Sequence, residues 1–281
     1  MKSKGVIAIN KPKDWTSFDV VNKIKYKVKP LKVGHLGTLD PMATGVLLVT
    51  IGQATKLFDL MQEKQKTYVA TFEFGYLTDT LDSMGKIIEK SDKLPTINEI
   101  QAVLPNFIGE ISQIPPKYSA KSVNGQRAYN LARKGVEFEL KPKLVTISSI
   151  NVLSYQNGLL KLEICCGSGT YIRSIGRDIA EKLNTFATMT ELVRTKVGNI
   201  ELKDCLEMEN LENIQNCIIQ IKDICNHETL NLDKKAMFKL LNGQIIEIEK
   251  PDGVYMLQDA YDTVAIVKIE NNKAKMSIFL G

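Results

Sequence analysis

Apolar positions along this chain switch between two spacings, and the switches mark its elements. From Gly5 the run Val6-Ile7-Ala8-Ile9 reads as a short strand that stops at Lys11-Pro12, because proline has no amide hydrogen to donate. Thr16-Ser17-Phe18-Asp19 then offers an N-cap, and Val20, Val21, Ile24 and Val28 continue at helical spacing. Val46 to Ile51 is a nearly continuous apolar run, which fits a buried strand or a buried helix equally. Lys66 to Gly75 alternates with period two and predicts a strand. Pro95 to Phe107 predicts a helix with Thr96 as N-cap and Ile97, Ile100, Val103 and Leu104 on one face. Leu159 to Cys166 predicts another strand, followed by a helix through Ile179 and Leu183. Composition shifts after about residue 226, where a short helix (233–241) leads into short alternating strands through Val254–Leu257 and Val264–Ile269.

The chain has 281 residues, room for one sizeable core and a small second domain. Apolar residues at 44% and charged residues at 25% describe an ordinary globular protein. No apolar stretch reaches the length of a bilayer span, and the opening strand breaks before a signal-peptide core develops. A cytoplasmic location without membrane contact is therefore expected. Five cysteines form no Cys-x-x-Cys pair, which argues against a zinc site and a disulfide framework. With only two histidines, His35 and His227, a His-based hydrolase or two-histidine metal site is hard to build. The net charge of +5 is modest and suggests a polyanionic partner without proving one. Arginine is scarce: Arg127, Arg133, Arg173, Arg177 and Arg194 are all there are.

Three segments carry candidate chemistry. Asp40 follows Gly34 and Gly37 and precedes Pro41, so one carboxylate sits in a turn whose backbone can approach a ligand. Taken alone, aspartate before proline is ordinary turn chemistry. Between 117 and 143, Lys117, Lys121, Arg127, Arg133, Lys134, Lys141 and Lys143 interleave with Tyr118 and Tyr129. Such a stretch suits a looped or single-stranded nucleic acid, although a solvated charged helix reads the same way. Gly167-Ser168-Gly169 fits neither a nucleophile elbow nor a phosphate loop, lacking Gly-x-Ser-x-Gly and a following Gly-Lys-Ser/Thr.

The run Gly34-His35-Leu36-Gly37-Thr38-Leu39-Asp40-Pro41-Met42-Ala43-Thr44-Gly45-Val46-Leu47 resembles the catalytic motif of TruB-type tRNA pseudouridine synthases. The resemblance continues in order through Thr78-x-Thr80-x-Asp82-x-x-Gly85 and Pro115-Pro116-x-Tyr118-Ser119-Ala120. Gly125-x-Arg127-Ala128-Tyr129, Gly169-Thr170-Tyr171-Ile172-Arg173 and the Leu192 segment complete it, so that it covers roughly residues 5 to 200. It implies an α+β pseudouridine synthase fold, a mixed and largely antiparallel sheet with flanking helices, over residues 1–228. An RNA-gripping insertion would lie at about 113–143, and a small β-rich PUA-like domain over 229–281. It also implies that the Lys11-Pro12 element packs beneath the catalytic loop.

The implied reaction isomerises uridine 55 in the tRNA T-loop. The N1–C1′ bond breaks, the uracil turns, and it rejoins through C5, so no cofactor and no metal is needed. One carboxylate suffices, as nucleophile at C1′ or base at C2′, and the sequence does not choose between these. Asp40 is the implied catalytic residue. Arg173 would keep it ionised, since a guanidinium stays charged when buried. Tyr68 would stack on the uracil, Leu192 would wall the pocket, and Tyr171 would support it. His35 would contact RNA or fill the gap left by a flipped base. Lys117, Lys121, Arg127, Arg133 and Lys134 would grip the backbone. The expected partner is the tRNA T-arm, and a monomer is expected. The alternative is a non-catalytic RNA-binding or tRNA-folding protein of the same fold.

Overall fold

A capping box sets the first helix. Thr16 Oγ1 accepts from the Asp19 amide while the Asp19 carboxylate accepts from the Thr16 amide, so α1 (Ser17–Lys27) starts where the sequence places it. The computed structural model describes residues 4–62, 64–123, 125–225, 227–259 and 262–281; the leading Met1-Lys2-Ser3 lies outside them. The chain divides into two compact units, one of residues 1–41, 45–62 and 199–281, the other of 42–44 and 63–198.

The first unit opens with β1 (Gly5–Lys11), α1, β2 (Val33–His35), β3 (Thr44–Ile51) and the short α2 (Phe58–Gln62). The ambiguous run at 46–51 is a strand: β3 pairs antiparallel with β1, Gly5 facing Ile51 and Lys11 facing Gly45, and with β2. Val6, Ile7 and Ile9 are fully buried, as are Val46, Leu47 and Val49, and α1 with its C-cap adds Val20, Ile24 and Val28.

The second unit is built on β4 (Lys66–Phe74), the hairpin β5 (Tyr76–Thr78) and β6 (Ile87–Lys90), and α3 (Ile97–Val103). It continues through β7 (Gly109–Gln113), the small hairpin β8 (Ser122–Val123) and β9 (Gln126–Arg127), and α4 (Ala128–Arg133). The long β10 (Lys143–Gln156), β11 (Leu159–Cys166), α5 (Ile172–Lys182) and β12 (Ala187–Val197) complete it. Its sheet runs β12-β4-β11-β10-β7, every pair antiparallel. In β4 the alternation buries Lys66, Tyr68, Ala70, Phe72 and Phe74 on one face. Gly176 of α5 lies against the Phe72 ring, where any side chain would collide with it. The helix expected over 95–107 is shorter than the spacing suggests. Pro105 lacks the amide to continue it, so α3 ends at Val103 and a 3₁₀ turn carries on to Phe107.

The chain then rejoins the first unit with β13 (Ile200–Glu201), α6 (Ile221–Ile224) and α7 (Lys234–Leu241). The strands β14 (Ile246–Glu247), β15 (Gly253–Gln258), β16 (Thr263–Glu270) and β17 (Lys273–Phe279) form a sheet in the order β14-β17-β16-β15. Leu240 of α7 and Leu257, Val267 and Ile269 of the sheet share one apolar cluster. Among the described residues no helix is long and apolar enough to cross a membrane.

Candidate active site

Asp40 sits in a turn whose backbone is held on both sides. Ser17 Oγ accepts from the Leu39 amide at 2.9 Å and donates to the Leu39 carbonyl at 3.2 Å. Lys11 is fully buried, and its ammonium donates to the carbonyls of Pro12 (2.8 Å), Trp15 (2.6 Å) and Pro41 (3.1 Å). The Asp14 amide adds a further bond to Pro41 O at 2.9 Å. The Lys11-Pro12 element thus supports the turn from beneath. A buried ammonium is costly unless its donors are met, and three carbonyls meet them here. Gly37, at φ +109°, turns the chain into this loop through a conformation that side chains rarely adopt. His35 is half-buried on β2, opposite Val49.

In the second unit Tyr68, Leu192 and Arg194 share the buried face of the sheet. Tyr68 faces Arg194 on β12 and Ile164 on β11, and Leu192 faces Ala70. Tyr68 and Leu192 are buried at 9% and 6% exposure, so each presents little more than an edge. Lys66, beside them on β4, is pushed down to about 8 by burial and by the Arg194 guanidinium. Burial likewise pushes the Cys166 thiol up to about 11, which leaves it unreactive at neutral pH.

Arg173 lies in the first turn of α5 and is buried. Its Nη1 donates to the Thr80 carbonyl at 2.9 Å and stands 3.4 Å from Asp82 Oδ2, while Nη2 donates to the Tyr118 carbonyl at 3.1 Å. Asp82 is the residue that sequence reasoning passed over. It is buried in the 78–85 turn, where its carboxylate accepts from Thr80 Oγ1 (2.7 Å) and the Met84 amide (3.1 Å). Gly85 closes that turn at a place where a side chain would strike Thr80 and Asp79. The signal was present in the Thr-x-Thr-x-Asp spacing, but nothing local connects Asp82 to an arginine so far along the chain. Tyr171 caps α5 through its backbone, exchanging two hydrogen bonds with the Gln113 side-chain amide.

Lys117, Arg127, Arg133 and Lys134 are exposed. Arg127 donates to the Ala120 carbonyl at 2.7 Å, and Arg133 lies 5.8 Å from the Tyr129 ring centre. Lys121 is half-buried, and burial together with Lys143 lowers its pKa.

Comparison with solved structures places the fold. The fold is similar to that in the crystal structure of a Cbf5-Nop10-Gar1 complex, with a TM-score of 0.77 at 21% identity over 99% of this chain and 85% of that one. Residues 23–172 match the family description "TruB family pseudouridylate synthase (N terminal domain)", and residues 173–231 match "tRNA pseudouridylate synthase B C-terminal domain". The chain belongs to the TruB family of pseudouridylate synthases. It is 40% identical to tRNA pseudouridine synthase B of Clostridium kluyveri over 96% of this chain and 93% of that protein. It is also 42% identical to the protein of that name from Borreliella burgdorferi over 87% of each, and 38% identical to that of Mycoplasma mobile over 99% and 95%.

Proposed function

We propose that this chain is a tRNA pseudouridine synthase acting on uridine 55 of the T-loop. The observation that carries the reading is the Asp40 turn, pinned through Leu39 and Pro41 by Ser17 and Lys11 within a chain of this family. A carboxylate held by its backbone needs little rearrangement to meet a ribose. Asp40 acts either by adding to C1′ as the N1–C1′ bond breaks or by taking the C2′ proton; both routes use the ionised form. The freed uracil turns and C5 bonds to C1′, as the Asp40–C1′ ester bond breaks on the first route or as the proton returns to C2′ on the second. C5 then gives up its proton and N1 gains one, so the base is leaving group and nucleophile in turn and no cofactor enters.

Tyr68 and Leu192 contribute apolar faces for the base, and Tyr171 supports them through α5. Arg173 stays charged while buried because it is delocalised and forks between Asp82 and two carbonyls. Paired there, it serves substrate binding through the Thr80 and Tyr118 backbone that it holds. The target uridine is flipped out of the folded T-arm, His35 contacts the RNA from which it leaves, and Lys117, Lys121, Arg127, Arg133 and Lys134 grip phosphates. Residues 1–228 form the catalytic domain with its insertion at 113–143. Residues 229–281 form a PUA-like RNA-binding unit, and the protein works as a monomer.

The test is tritium release from unmodified tRNA labelled at uridine C5. The reading predicts release that disappears when uridine 55 is replaced by cytidine. Release unaffected by that replacement would reassign the target, and tRNA binding with no release would leave a non-catalytic RNA-binding protein.

A further inference from the structure

Helix α1 turns an unusual face outward. Its buried residues Val20, Val21 and Ile24 account for one side. The other carries Phe18, Asn22 and Tyr26 at four-residue spacing, so that they form a stripe. Phe18 is 64% exposed and Tyr26 73% exposed, far from the burial such rings usually find. Beside the stripe lies a groove of about 420 Å³ lined by Asp14, Trp15, Asp19, Asn22, Lys23 and Tyr26. Lys29 Nζ stands 4.6 Å from the Tyr26 ring centre. From residue 13 to 32 the exposed cations are Lys13, Lys23, Lys25, Lys27, Lys29 and Lys32, against Asp14 and Asp19.

This surface is coupled to the Asp40 turn. The buried Lys11 ammonium bonds both the Trp15 carbonyl, in the groove wall, and the Pro41 carbonyl, next to Asp40. The groove residue Trp15 is therefore tied through Lys11 to that turn.

We propose that the groove and the lysine-rich face of α1 are a second RNA site, which takes one unpaired nucleotide of the substrate outside the reacting uridine. The proposal rests on the tRNA reading above. Exposed rings flanked by lysines suit a nucleobase with phosphates on either side, because bases stack on aromatics while ammonium groups follow the backbone. Lys23 lines the groove beside the stripe, and Lys29 stands over the Tyr26 ring. The polar lining adds a preference. Asp19 is ionised at neutral pH, its pKa lowered by the Thr16 hydrogen bonds, and Asp14 supplies a second carboxylate. Both accept hydrogen bonds and repel phosphate, so the groove favours a base with an exocyclic amino group, as cytosine or adenine has, over uracil.

Trp15 is the sole tryptophan of the chain and reports on the groove directly. Unmodified tRNA is titrated into the full-length protein while Trp15 fluorescence and tritium release are followed. The variants are Tyr26→Ala and the double change Lys23→Ala with Lys25→Ala. The proposal predicts quenching in wild type that is lost in Tyr26→Ala, with KM raised about tenfold and kcat unchanged. For the lysine pair it predicts a salt dependence of binding weaker by about 1.4 to 1.8 in log–log slope. Short oligocytidylate should quench Trp15 more strongly than oligouridylate. Quenching and KM that stay at wild-type values in both variants would mean RNA held at the Asp40 turn alone, and would overturn the second site. Quenching sensitive to the variants but without tritium release by wild type would retain the RNA site and sink the synthase reading.

Discussion

Lys11 and Lys134 show the two ways this protein uses a cation. Lys11 is fully buried, and its three donors fix three carbonyls around the Asp40 turn. Lys134 is exposed at the end of α4, beside an equally exposed Arg133. The first spends its charge on internal geometry; the second is left exposed and, on the proposed reading, serves an RNA backbone. Groups around the reacting atoms need a geometry settled before substrate arrives, because small misplacements cost rate. Groups that follow a phosphate backbone gain from long flexible side chains, since affinity there comes from counterion release rather than fixed contact.

The contrast is broken most severely at Arg173. Replacing it with methionine strands Asp82 as a buried carboxylate without its cation, and a loss of about 3–5 kcal/mol is expected in denaturant unfolding. Lys11→Met comes next. It leaves the Pro12 and Trp15 carbonyls without this donor and the Pro41 carbonyl with the Asp14 amide, and about 2 kcal/mol of stability should go with it. Its sharper signature is kinetic: kcat falls about tenfold or more, because the Asp40 turn loosens. A Lys11→Met protein with wild-type kcat would mean that the clamp is only structural.

Lys66 lies between these cases. Its pKa is pushed down to about 8 in the folded chain, against an ordinary value of 10.5. Between these two values the unfolded chain holds a proton that the folded one has released, so stability rises with pH across that window. Below pH 8 both states are protonated and the folded state carries the cost of a buried ammonium. Lys66→Met should remove this pH dependence, about 1–2 kcal/mol between pH 8 and 10 after allowing for solvent screening. Unfolding curves of both proteins across that range check it.

The smallest effect on stability belongs to the exposed segment. Arg133→Ala with Lys134→Ala should leave the melting temperature unchanged and weaken tRNA binding. The log–log salt slope should fall by somewhat under one unit for each contact removed. A lowered melting temperature would show these side chains to be part of the fold instead.

How far the sequence revealed these regions follows from how local each signal is. The α1 capping box, the alternation of β4 and the proline-stopped β1 depend on neighbours within a few residues, and the structure has each of them where the pattern puts it. The Asp40 turn and the Lys11-Pro12 support beneath it were legible through motif resemblance. The strand β10 was not singled out. Its pairing with β11 shifts register between Ile147 and Ser149 and again between Val152 and Ser154, and bulges of this kind break a period of two. The Asp82–Arg173 pair was missed for another reason. Its halves lie in a turn and a helix far apart in sequence, and only the folded second unit brings them together. The run at 46–51 stayed ambiguous until pairing with β1 decided it, because a fully buried strand has no polar face to show.

The most direct test of the account is Asp40→Asn, which keeps the shape of the side chain and removes its charge. Tritium release from C5-labelled tRNA and tRNA affinity should be measured on the same preparation beside wild type. The account predicts release lowered by at least about 10³-fold with affinity unchanged. Release near the wild-type rate would contradict it, and the chemistry would have to be sought at another residue.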